Sequence, residues 1–334
     1  MDTEACTITN VSRELRSLWH PIGRVASFGE VPQRVQVLDE AFVVVRVDND
    51  VRVFRDVCPH RSARLSDGRV VDGALECPYH GWQFGADGGC TFIPALGPNA
   101  TLPAARLDAP RVETRYDMVW VSLDEPITDI IDIGEWDDPS LTKVWVPPVD
   151  ISASAAHTID NFLDIAHFPF VHAATFGTLQ DSAIGDIRAT RSEDGWGFSV
   201  RYDHVIDNFE DPLVATGEHP LTQPRAMHYL YQAPFSAKLR LEFPVTGMVN
   251  AIVICCQPMS IEQTRVHMVM LRDDCHSEDA MNEAIDYELR IFREDLSIIE
   301  RLPTTALVLE RGQVHTRADR HTVEFRRILR ELFS

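Results

Sequence analysis

Positive charge is scarce in this chain. It carries 31 Lys and Arg against 51 Asp and Glu, a formal net charge of −20. That balance repels phosphate backbones, so no nucleic-acid partner is expected. Long apolar runs are missing too. The longest, Ala41–Val47 and Ala251–Cys256, are strand-sized and fall far short of the roughly 18 residues that suggest a membrane span. Met1–Glu14 is polar and acidic with no apolar h-region, so neither a secretory signal nor a membrane partner is expected. Cysteine is sparse: of seven, Cys6, Cys90, Cys255, Cys256 and Cys275 show no framework spacing, which reads as reduced thiols in a cytoplasm. The Gly-rich dinucleotide fingerprint is absent, so NAD(P)H is not expected to bind here. No repeat and no low-complexity segment interrupts the pattern.

At 334 residues there is room for two domains. From Pro21 to about Asp124 the pattern is strand-rich. Phe42–Val45 and Val51–Phe54 flank Asp48-Asn49-Asp50, a hairpin signal. Residues 94–110 hold four prolines and read as an irregular connection. Prolines among acidic residues over 125–150 mark a boundary, which predicts domains at 1–125 and 126–334. The second half alternates. Thr158 to about Val171 reads as helix, and β-type segments follow at Gly197–Ile206, Ala226–Phe243, Met248–Cys256 and Arg265–Leu271. Helices are expected over Glu278–Leu302 and Asp319–Leu332. The architecture is therefore α+β: a small all-β domain, then a larger mixed one.

Two short motifs carry chemistry in the first domain. Cys58-Pro59-His60 and Cys77-Pro78-Tyr79-His80 each pair one thiol with one imidazole, with sixteen residues between His60 and Cys77. This set suits a Rieske [2Fe–2S] cluster, in which two His replace two Cys on one iron. A Cys₂His₂ zinc site would use the same residue types, but zinc fingers group Cys with Cys and His with His, whereas each half here mixes them. Pro59 and Pro78 stiffen the loops, and Gly81 is expected to let backbone approach the cluster.

A second set lies in Asn161-Phe-Leu-Asp164-Ile-Ala-His167-Phe-Pro169-Phe-Val-His172. On a helix, Asn161, Asp164 and His167 share a stripe. Pro169 is expected to kink the helix and bring His172 back beside His167. Two imidazoles and one carboxylate make the facial triad of a non-haem Fe(II) oxygenase, which leaves positions open for O₂. Asp295 is the preferred third ligand, with Glu294 as the alternative. The competing reading makes His167 and His172 ordinary core histidines among Phe162, Phe168 and Phe170. Met227, Tyr229, Tyr231, Leu239 and Leu241, with residues near Phe168 and Phe176, either line a pocket or fill a core.

These motifs together resemble the oxygenase components of Rieske non-haem iron oxygenases, in the branch of vanillate, dicamba and methylxanthine demethylases. The resemblance runs from Leu18-Trp19-His20-Pro21 to the final helix, where Ala318–Arg320 and Phe325–Arg327 also match. It implies a Rieske domain followed by a helix-grip, START-like domain with an antiparallel sheet. It implies cluster ligands Cys58, His60, Cys77 and His80, and Fe²⁺ ligands His167, His172 and Asp295. Asn161 would lie near the iron. Electrons from NAD(P)H would arrive through a separate reductase, with or without a ferredoxin. The family commonly forms head-to-tail homotrimers, in which Asp164 would join His167 to His80 of the partner subunit. The expected reaction is monooxygenation, as hydroxylation or O- or N-demethylation of a small cyclic or aromatic substrate. Ring cis-dihydroxylation, or an electron carrier with a non-catalytic second domain, are the alternatives.

Overall fold

The computed structural model describes residues 6–47, 50–179, 182–310 and 312–333. Asp48 and Asn49 of the expected hairpin turn lie outside them. The chain separates into two compact units. One is Arg16–Ile127 with Pro258–Ser260; the other holds the remainder.

The first unit is built from three small antiparallel sheets. Gln33–Val37, Glu40–Val47 and Asp50–Arg55 form one. Arg69–Val71, Ala74–Glu76, Gln83–Phe84 and Cys90–Phe92 form the second. Arg111–Arg115, Met118–Ser122 and His20–Arg24 form the third. Val43, Phe54, Leu65, Leu75, Phe84 and Leu107 pack into a core that also holds the thiols of Cys58 and Cys77. Asp56 anchors the loop that carries Cys58. Its buried carboxylate accepts from Ser66 N and Ser66 Oγ, both at 2.7 Å.

The second unit is a seven-stranded antiparallel sheet with helices. The strands are β1 (Thr142–Ile151), β2 (Ala189–Arg191), β3 (Gly197–Asp207), β4 (Thr222–Gln232), β5 (Ser236–Glu242), β6 (Val249–Ser260) and β7 (Gln263–Arg272). Their spatial order is β1-β7-β6-β5-β4-β3-β2. The helices that matter here are α1 (Ala155–Leu163), α2 (Phe168–Val171), α3 (Glu278–Ile299) and α4 (Arg320–Glu331). The segment expected as one run over Ala226–Phe243 is two strands, parted at Ala233–Phe235.

The boundaries differ from the expected 1–125 and 126–334 division. The described residues before Arg16 group with the second unit. Thr7–Ile8 pairs with Leu307–Val308. The Asn10 side chain donates to Gln263 O and Thr264 Oγ1 and accepts from Ala155 N. A short polar leader carries no local signal of which core it will join, because those partners are distant in sequence.

The helix expected from Thr158 to Val171 is also corrected. α1 begins at the Ser154 cap and ends at Leu163. Asp164 has extended backbone (φ −71°, ψ 133°) and caps the helix. Its Oδ1 then accepts from Ala166 N at 3.1 Å, which turns the chain. Pro169 therefore kinks nothing. It sits in the first turn of α2, where a missing N–H costs no intrahelical bond.

Candidate metal centres

In the first unit each cluster loop is a closed turn. Cys58 N donates to Ala63 O at 2.8 Å and Ser62 N to Cys58 O at 2.9 Å; Cys77 N donates to Trp82 O at 2.8 Å and Gly81 N to Cys77 O at 3.1 Å. Repeating one turn in two loops presents the same pair of side chains twice. The thiols of Cys58 and Cys77 are each 2% exposed. Burial lifts the Cys58 thiol to about 11, and the adjacent Cys77 adds to the rise. The rings of His60 and His80 stand 4.6 Å apart, and Trp82 stacks on His60 at 4.5 Å. His60 Nδ1 is buried with no hydrogen-bond partner.

The donors thus come as a thiol pair and an imidazole pair. Among the described residues, the group of three or more donors that converges on a single point lies elsewhere. A single zinc ion would need all four around one centre, whereas a two-iron cluster takes one pair per iron. Gly81 has a conformational role besides. Its φ of +69° is left-handed, and a Cβ would meet Pro94 Cγ at 2.9 Å. Gly81→Ala is expected to destabilise this unit by about 1–2 kcal/mol from backbone strain. The check is the thermal midpoint of the visible cluster absorbance; an unchanged midpoint would refute it.

In the second unit His167, His172 and Asp295 converge, their donor atoms all within 4.8 Å. The break at Asp164 is what places His167. His167 Nδ1 donates to Asp164 Oδ2 at 3.1 Å. His172 Nδ1 donates to Glu294 Oε2 at 2.8 Å, across 122 residues, and Thr175 Oγ1 donates to the same oxygen at 2.9 Å. With both Nδ1 atoms carrying protons, both Nε2 atoms present lone pairs. They face each other at 3.0 Å. Asp295 Oδ1 lies 3.3 Å from one and 3.2 Å from the other, and is buried with no hydrogen-bond partner.

Three acceptors crowded together require a cation. Burial alone would lower the pKa of His167, but its bond to Asp164 and the nearby Asp295 carboxylate raise it to about 9. A positive charge is favoured here, and a divalent metal supplies it better than a proton. Glu294, the alternative third ligand, is corrected to an orienting role on the far nitrogen of His172. Thr175 had no sequence signal. Asn161 lines the neighbouring cavity rather than joining the three donors.

That cavity lies between α3 and one face of the sheet, with about 910 Å³ of non-atom space, part of it open to solvent. Ile206, Arg225, Tyr229, Leu241, Asn250 and Ile252 line it from the strands. From α3 come Glu288, Ile291, Phe292 and Asp295, spaced to share one helix face. Tyr229, Leu239, Leu241, Phe168 and Phe176 line the cavity, while Met227 and Tyr231 are fully buried in the core.

Comparison with known proteins agrees. Residues 18–106 match the Rieske [2Fe-2S] domain model. Residues 151–334, more than half of the chain, match the vanillate O-demethylase oxygenase C-terminal domain. The chain is a Rieske oxygenase of this family. Methylxanthine N1-demethylase NdmA of Pseudomonas putida is 29% identical over 97% of this chain and 91% of its own length. The structure of that enzyme with caffeine superposes with a TM-score of 0.81 at 29% identity, covering 95% of this chain and 91% of that one. Dicamba monooxygenase bound to 3,6-dichlorosalicylic acid, at 18% identity and a TM-score of 0.79 over 95% of this chain and 97% of that one, shares the fold. This Rieske oxygenase is therefore an oxidoreductase, with an all-β Rieske domain ahead of a catalytic domain built on an antiparallel sheet.

Proposed function

We propose that this oxygenase is the terminal component of a multi-component monooxygenase that hydroxylates, or O- or N-demethylates, a small cyclic molecule. The observation that carries it is the buried, unpartnered Asp295 Oδ1 beside two imidazole Nε2 lone pairs. In this reading His167, His172 and Asp295 hold Fe²⁺, and Cys58, His60, Cys77 and His80 hold the [2Fe–2S] cluster. When bound, these groups supply electron transfer and O₂ activation. The chain's own residues do the rest. Asp164 and Glu294 fix the tautomer and orientation of the two imidazoles. The apolar cavity walls hold the substrate beside the metal position and keep bulk water away.

Reducing equivalents come from NAD(P)H through a separate reductase, directly or by a ferredoxin. The Asp164 carboxylate is 28% exposed. That supports a second contact, to His80 of the partner subunit, in a head-to-tail homotrimer. Seven cysteines, none of them in a disulfide, fit a cytoplasmic setting, and among the described residues no helix is long and apolar enough to cross a membrane.

Iron analysis with labelled O₂ tests this proposal. About three irons per chain are expected, two for the cluster and one for the mononuclear site. One labelled oxygen should appear in the product or in the released one-carbon fragment. Two irons per chain would remove the mononuclear site, and two labelled oxygens on adjacent ring carbons would make the reaction a dihydroxylation.

A further inference from the structure

A second and smaller cavity adjoins the first. It holds about 300 Å³ of non-atom space, part of it open to solvent. Phe168, Phe176 and Ile206 line both cavities, so these side chains form the partition between them. Ile165 and Phe168 are buried, whereas Ile184, Tyr202 and Val205 on the same wall are half-buried. The cavity therefore runs inward from the surface. Its inner end rests against the metal ligands. Phe176 stacks on His172 with ring centres 4.8 Å apart. Phe168 meets His167 edge-on at 4.9 Å, and the two phenyl rings meet edge-on at 5.2 Å.

The lining decides what this cavity can hold. Among the described residues it includes no Asp, Glu, Lys or Arg. Burial keeps its histidine, His204, neutral, with a pKa pushed down to about 2. Tyr202 Oη accepts from Gly185 N at 3.3 Å, and His204 Nε2 accepts from Arg225 Nε at 3.0 Å. Thr178 is the other polar side chain on the wall. An ordered water needs about two to four polar partners, and a wall of aliphatic and phenyl groups offers few. The space is also narrow, with room for about one water-sized molecule. A cyclic substrate is too large for it. A small apolar molecule with no hydrogen bonds to satisfy fits, and dry apolar cavities take up such guests.

We propose that this cavity admits dioxygen to the metal position by a route separate from that of the substrate. The proposal rests on the oxygenase reading above and adds the path of its second reactant. A cyclic substrate seated in the larger cavity occupies the approach from that side. The smaller cavity reaches the ligand imidazoles from the other side of Phe168 and Phe176. Its bore passes a diatomic molecule and stops a six-membered ring.

The test is xenon pressurisation of crystals of the full-length holoprotein, followed by oxygen kinetics on variants of Ile184. This residue lines the smaller cavity and not the larger one. In the wild type, xenon should appear between Ile165, Phe168 and Ile184. Ile184→Trp should fill the outer end and abolish that xenon site. It should lower kcat/KM for O₂ by at least about five-fold, with substrate KM, kcat at saturating O₂ and iron content unchanged. Ile184→Ala leaves the passage open and should keep both the xenon site and the wild-type kcat/KM for O₂. The wild-type xenon result stands even if Ile184→Trp fails to fold. No xenon here, or xenon in the larger cavity alone, would overturn the proposal. So would an unchanged kcat/KM for O₂ in folded Ile184→Trp, or an equal loss for O₂ and substrate. Xenon binding needs no turnover, so a failed oxygenase reading would show separately, as two irons per chain with xenon still in place.

Discussion

Replacing Asp295 by Asn is expected to empty the mononuclear site while leaving the cluster intact. The side chain keeps its shape, so helix α3 and the cavity wall should hold. What changes is charge. Asp295 Oδ1 is the one anionic atom facing the two Nε2 lone pairs, and the two imidazoles hold its carboxyl below the usual range despite burial. A neutral amide would leave a site of three uncharged donors. Loss of an orienting partner around a metal already costs about 10–100-fold in affinity, and loss of an anionic ligand should exceed that. Iron should fall from about three to about two per chain, with unchanged visible absorbance from the cluster and no detectable substrate-coupled O₂ uptake. Full iron content in the variant would show that Asp295 is not a ligand. Glu294→Gln would not reproduce this, because Glu294 meets the opposite nitrogen of His172.

The second large effect is expected at Asp164. Asp164→Asn should retain all the iron and still lose turnover by about 100-fold, the upper range for a group that orients a metal ligand. Every proposed metal ligand remains in this variant. The change falls on the bond from His167 Nδ1 to Asp164 Oδ2, 3.1 Å long and charge-assisted in the wild type. An amide accepts more weakly there, and it also removes the carboxylate proposed to meet His80 of the partner subunit. Paired measurements of iron content and coupled O₂ uptake separate the two roles. Loss of iron would make Asp164 a purely structural support for His167. Undiminished turnover would take it out of the electron path altogether.

How legible each site was depends on the sequence distance between its parts. The cluster loops were readable because each thiol and its imidazole sit within four residues, on turns that close locally. The pair His167 and His172 was readable for the same reason, although the device that sets them was misplaced. Pro169 looked like the kink, yet the chain turns at Asp164, whose carboxylate caps Ala166 and so breaks the helix earlier. The choice between Asp295 and Glu294 was not readable from spacing. Adjacent residues on a helix point about 100° apart, and only the phase of α3 against the sheet decides which faces the histidines.

The sequence by itself determined the candidate donor sets, the two-unit α+β plan and the family, since these depend on short spacings and on hydrophobic period. Only the tertiary structure decided which carboxylate meets the imidazoles, which core the leader before Arg16 joins, and which aromatic residues face the cavity rather than the core. Those outcomes depend on residues more than a hundred positions apart being packed together. The burial of helix and sheet faces enforces that packing, and no local pattern encodes it.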